Sequence, residues 1–150
     1  MSPHERLIAW QKAHEFTVVT LSALDRRSGA RHEALADQLR RAAIAVSANI
    51  VEGSARSSAT EFAACLSMAL AAARESGYLV RLAADLEAIR TSERAVLEAR
   101  CEQVCRLIVS LLRHISARPD RPSVSRSAAA RASRAAPRHR PASPGPPDDD

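Results

Sequence analysis

Aromatic side chains are almost missing from this chain: Trp10, Phe16, Phe62 and Tyr78 are its whole complement in 150 residues. That scarcity removes most of the platforms on which single-stranded nucleic acids are held by base stacking. Glycine is as rare, at Gly29, Gly53, Gly77 and Gly145. Neither the G-x-x-x-x-G-K-[ST] loop that cradles phosphates nor the G-x-G-x-x-G dinucleotide turn occurs, and G-x-S-x-G and H-E-x-x-H are also absent. The three cysteines, Cys65, Cys101 and Cys105, are an odd number with no C-x-x-C and no histidine at zinc-site spacing. They build neither a disulfide framework nor a metal site and read as small buried hydrophobes of a protein in a reducing cytoplasm. No apolar run approaches the ~20 residues that cross a bilayer, and the N-terminus lacks the unbroken apolar stretch of a signal peptide. No segment alternates with the period of a strand.

Proline is absent between Pro3 and Pro119, and seven of the eight prolines stand from Pro119 onward. The chain therefore divides into residues 4–118, free of proline, and an Arg/Pro/Ala-rich segment, 119–150, that cannot bury enough apolar surface to offset its chain entropy and is expected to be disordered. Residues 1–118 carry 15 Arg, Lys12 and 13 acidic residues, a net charge of +3. Residues 119–147 carry six Arg against Asp120, and three terminal aspartates bring the whole chain to +5. A basic arm of this kind suits nonspecific contact with phosphates; the alternative is a neutral tail whose arginines reflect only an Arg-biased genome.

What remains reads as four helices. The first is expected over about 5–27, with Leu7, Trp10, His14, Thr17, Val18, Leu21 and Leu24 on one face, His14 as a core histidine, and Phe16 turned away. It stops before Arg27-Ser28-Gly29. The second, about 31–52, buries Leu35, Leu39, Ala42, Val46 and Ile50. Its opposite side carries Ile44, Ala48 and Val51 among Asp37, Arg40 and Arg41, so a second burial partner is expected there, and Gly53 ends it as a left-handed stop. The third begins at the capping box Ser58-x-x-Glu61 and runs to about Ile89, with a small-residue strip of Cys65, Ala69, Ala72, Ser76 and Ala83 and with Gly77 inside it for close packing. The fourth, about 91–117, starts at Thr91-Ser92-Glu93 and buries Leu97, Cys101, Val104, Ile108, Leu111, Leu112 and Ile115. Long helices with short loops predict an all-α, antiparallel, up-down-up-down four-helix bundle.

The stretch QLRRAAIAVSANIVEGSARSSATEF, from Gln38 to Phe62, together with Leu7, Trp10 and Ala13 and the later Glu75, Leu79, Leu82 and Ala83, resembles the four-helix bundle family of 23S rRNA intervening-sequence proteins. Gln38, Arg41, Asn49, Glu52, Gly53, Arg56, Glu61 and Phe62 fall on the family's motif. The chain departs from the pattern where Ala72-Ala73-Arg74 replaces a Gly-Ser pair and where the first interhelix loop lacks proline. The resemblance implies a ring-shaped homo-oligomer, typically a homopentamer, without enzymatic activity. It also implies a distant similarity to the accessory variability protein of diversity-generating retroelements, a basic pentameric bundle that binds nucleic acid.

No catalytic group, metal ligand set or cofactor site emerges. Glu61 and Glu75 lack the E-x-x-H partners of di-iron bundles. The expected function is that of a self-assembling adaptor for RNA or DNA, with Arg40, Arg41 and Arg56 as phosphate contacts and Phe16, Ile44, Ala48 and Val51 at the subunit interface. The alternative is a scaffold for another protein with no nucleic-acid role. Ion pairing of Arg40 and Arg41 with Asp37, Glu33 or a neighbouring subunit, and of Glu52 with Arg56 or Arg41, is the structural reading of the same residues.

Overall fold

The computed structural model describes residues 1–26 and 30–117. The Arg27-Ser28-Gly29 stop and the segment 119–150 lie outside them. Four helices follow in order: α1 Ile8–Asp25, α2 Glu33–Ser54, α3 Ala59–Asp85 and α4 Thr91–Ser116, with short 3-10 turns at Pro3–Arg6 and Ala30–His32. Each helix packs on its two neighbours, and α4 closes the bundle onto α1. Cross-helix bonds run in antiparallel order. Arg26 reaches Glu93 and Arg100 reaches Glu15 between α1 and α4, while Arg94 reaches Asp85 and Arg81 reaches Glu98 between α3 and α4. The fold is the antiparallel four-helix bundle expected from the sequence.

Phe16, Leu24, Leu39, Ile50, Leu66, Ile89, Leu97 and Ile108 are fully buried, each contributing roughly 1.5–3 kcal/mol of apolar transfer. Between them sit alanines that let backbones come close, Ala13, Ala23, Ala43, Ala69, Ala73 and Ala83. The strip on α3 is buried as its small residues predict, and a Cβ built on Gly77 would stand 3.2 Å from the Cys101 sulfur, so that glycine does serve close packing.

Four expectations change. On α1 the buried face is Ala9, Ala13, Phe16, Thr17, Thr20, Ala23 and Leu24. Val18 and His14 are exposed, and Phe16 lies in the core rather than on an outer face. The true face is built around alanines, which a count of large apolar residues underweights, and Phe16 fills the volume they leave. His14 instead stacks on Trp10 at 5.1 Å between centroids, and His4 meets the same ring edge-on at 4.8 Å. Secondly, α2 continues through Gly53, and no glycine among the described residues has positive φ. A Cβ on Gly53 would lie 2.6 Å from Phe62 Cδ2, so the glycine makes room for the ring where α2 and α3 converge. Thirdly, α3 ends at Asp85. Glu87 turns left-handed at φ 59°, and the N–H groups of Glu87 and Ala88 bond back to the carbonyls of Ala84 and Ala83, a Schellman closure that leaves Ile89 buried in the connector. Fourthly, Arg90 rather than Thr91 caps α4, its N–H bonding Glu93 Oε2 at 2.9 Å.

Candidate nucleic-acid interface

The motif residues chiefly hold one another. Gln38 Nε2 donates to Glu75 Oε1 at 2.6 Å, and Arg41 Nη2 donates to Gln38 Oε1 at 2.8 Å. A single amide thus joins an α2 guanidinium to an α3 carboxylate. Asn49 Nδ2 donates to the Ala45 carbonyl one turn earlier at 2.8 Å. Glu52 and Arg56 form an ion pair across the end of α2, which raises the Arg56 pKa. Glu61 is exposed, and Phe62 is half-buried beside Gly53.

Arg40 is the most heavily committed of the expected phosphate contacts. Its guanidinium bonds Glu33 and Asp37, both at 2.9 Å, and lies 3.5 Å from Asp25 of α1. Bonding to Glu33, then to Asp37, raises its pKa against a desolvation penalty. Three carboxylates around one guanidinium leave a local negative excess, a poor place for a phosphate. Arg41 and Arg56 are exposed, but Arg56 lies beyond the end of α2 at Ser54, itself about 20 Å along the helix from Arg41. The structure therefore does not gather Arg40, Arg41 and Arg56 into one site. Ile44 and Ala48 are exposed and Val51 is half-buried, so an apolar seam does run along the outer side of α2.

A second place combines positive charge with a cavity. Leu70 and Arg74 of α3 and Cys105, Arg106, Val109, Ser110 and Arg113 of α4 line a groove of about 410 Å³. Successive turns create it: 70 and 74 are one turn apart, while 105/106, 109/110 and 113 mark three turns of α4. Leu70 and Val109 make its lining partly apolar. Arg106 pairs with exposed Glu102 at 3.0 Å. Arg74 and Arg113 have no ion pair among the described residues, so their multi-donor guanidinium groups remain available to an anion.

The groove also holds the most accessible of the three thiols. Cys65 and Cys101 are buried, and Cys101 Sγ donates to the Ala73 carbonyl at 3.0 Å. Cys105 is only half-buried. The Cys101 thiol and then the charge of Arg74 favour the Cys105 thiolate, and against desolvation they bring its pKa down to about 7. Cys101 moves the other way, through its hydrogen bond with Cys105 and its burial. The readings of Cys101 and Cys105 as buried small hydrophobes hold for the first alone.

The sequence does not mark this groove. Arg106, Ser110 and Arg113 share a helical face, and Arg74 stands in the stretch that departs from the family pattern, but no sequence signal shows which turn of α3 faces which turn of α4. Among the described residues, no group of three or more His, Cys, Asp or Glu is placed to hold a metal ion. No helix among them is long and apolar enough to cross a membrane.

Comparison with known proteins points to one family. The profile of the family described as "23S rRNA-intervening sequence protein" matches residues 5–110. A solved structure from Bacteroides thetaiotaomicron, described as a protein of unknown function from the S23 ribosomal protein family, superposes with a TM-score of 0.63 at 21% identity. The match covers 70% of this chain and 98% of that one, and it is a likeness of fold. No curated protein matches the chain.

Proposed function

This chain belongs to the 23S rRNA-intervening sequence protein family, and from that premise we propose that it acts without catalysis, as a self-assembling bundle that holds RNA or DNA by its phosphates. The observation that carries this reading is the groove between α3 and α4, where Arg74 and Arg113 line the walls without ion-pair partners among the described residues. Phosphates meet these guanidinium groups while Ser110 adds a neutral donor. Contacts of this type set affinity and position without reading bases. The small aromatic complement agrees with backbone recognition rather than stacking. Arg41 and Arg56 are secondary contacts, and Arg40 serves the protein's own carboxylates. The six arginines of residues 119–147 add charge to the same task.

Assembly multiplies the contacts. Ile44, Ala48 and Val51 repeat at i, i+4 and i+7 and supply the seam through which copies associate, as a homopentamer in this reading. Phe16, buried in its own subunit, has no part in that seam. Several grooves on one ring turn weak phosphate contacts into avid ones. The test is the mass of the assembly by light-scattering chromatography with and without RNA. A ring that gains mass with RNA at about 0.05 M salt and sheds it at about 0.5 M supports the proposal; a ring indifferent to RNA contradicts it. Exposed Met68 and Tyr78 favour the second reading, a scaffold for another protein, and that indifference would support it.

A further inference from the structure

The α3–α4 groove joins a half-buried thiol, three guanidinium groups, a hydroxyl and an apolar lining in one concave space. Each of these has a use for the same class of molecule. A low-molecular-weight disulfide bearing carboxylates brings a sulfur for Cys105 and anionic groups for the arginines. We propose that Cys105 is an S-thiolation site, exchanging with the disulfide of a small acidic thiol whose carboxylates seat on Arg74 and Arg113.

The geometry separates Cys105 from the other two thiols. Cys65 and Cys101 are 8% and 5% exposed, and Cys101 is tied to the Ala73 carbonyl. Cys105 alone lines the groove. Arg74 of α3 and Arg106 of α4 act on it, with Glu102, which pairs with Arg106, opposing them, while Arg113 lines the groove about two turns further along α4. Positive charge favours the thiolate, which is the attacking form. A volume of about 410 Å³ falls within the range of small-molecule sites and accommodates a tripeptide-sized thiol.

The exchange balances without a further reactant. The Cys105 thiolate attacks one sulfur of the disulfide, a new S–S bond forms and the old one breaks. The departing thiolate leaves with the electron pair and takes a proton from water. Cys105 is oxidised and half of the incoming disulfide is reduced. Adduct formation stands independently of nucleic-acid binding, because it needs only the groove.

The full chain would be treated with three disulfides: glutathione disulfide, which is anionic, hydroxyethyl disulfide, which is neutral, and cystamine, which is cationic. Adducts are located by peptide mass spectrometry, and each rate is divided by the rate of the same disulfide with free N-acetylcysteine. The expected result is modification at Cys105 ahead of Cys65 and Cys101, with the normalised rate highest for glutathione disulfide by about tenfold over the neutral probe. That preference should fall toward unity at about 0.5 M salt and in the Arg74→Gln/Arg113→Gln variant. The salt series on the unaltered chain decides the matter even if the variant folds poorly. Modification elsewhere, or equal normalised rates for all three disulfides, would overturn the assignment.

Discussion

A Cβ on Gly53 would lie 2.6 Å from Cδ2 of Phe62, and 2.9 Å from the Cβ of Cys65. Gly53 is helical, so its absent side chain matters for space rather than for backbone freedom. Exchange of a helical glycine for alanine ordinarily gains about 1 kcal/mol. Here Phe62 can turn its ring, but the Cys65 Cβ is fixed to the α3 backbone, and α2 and α3 must part to admit a methyl group. Gly53→Ala is expected to lower stability by about 1–3 kcal/mol in urea unfolding, as overpacking does. A gain in stability would show that the two helices separate at no cost.

Two neighbouring threonines of α1 should respond in opposite directions. Thr17 Oγ1 lies 2.9 Å from the Ala13 carbonyl, 2.8 Å from the Ala43 carbonyl of α2 and 3.1 Å from Ser47 Oγ. Thr20 Oγ1 is buried with no hydrogen-bond partner among the described residues. Thr17→Val is expected to cost about 1–2 kcal/mol and Thr20→Val to gain up to about 1 kcal/mol, since only the first hydroxyl recovers its lost hydration. Thermal unfolding of the two variants checks the sign of each.

Assembly and folding should separate along the line between Ile44 and Phe16. Ile44→Glu or Val51→Glu places charge on the outer seam of α2 and is expected to leave a helical monomer by light scattering and circular dichroism. Phe16→Ala opens a cavity in the core and is expected to cost about 3–5 kcal/mol. An unchanged oligomer after both α2 substitutions would remove that seam from the interface.

Alkylation of Cys105 should depend on pH with a midpoint at about 7. Below it the thiol is protonated and slow; above it the thiolate reacts. Cys101→Ala and Arg74→Gln each remove a group that favours the thiolate, so both should move the midpoint upward. The rate of iodoacetamide labelling across pH measures this, and a midpoint unmoved in both variants would mean that neither neighbour acts on the sulfur.

Much of this architecture is legible in the sequence because a helical bundle announces itself locally. The apolar period, the proline-free span, Ser58 ahead of α3 and the strip from Cys65 to Ala83 are all read within a few turns. The rotation of α1 is not, because its inner face is set by Ala9, Ala13 and Ala23, whose value comes only from the helix packed against them. Gly53 carries the same lesson: its motif position was visible, but its purpose lies in Phe62, across a helix junction. The pairing of Arg40 with Glu33 and Asp37 is legible within its own helix, and only Asp25, which comes from another helix, is hidden. The groove was hidden for the same reason, because Arg74 is 31 residues from Cys105.

The measurement that bears most directly on the arginine groove is the salt dependence of RNA binding for the full chain and for Arg74→Gln/Arg113→Gln. Residues 119–150 are the same in both proteins, so the difference between their slopes reports the groove. If the groove holds phosphates, affinity falls and the slope of log K against log salt becomes shallower by about 1–2, close to the counterions two arginines release. Equal slopes and equal affinities would contradict the account and remove the groove from nucleic-acid binding.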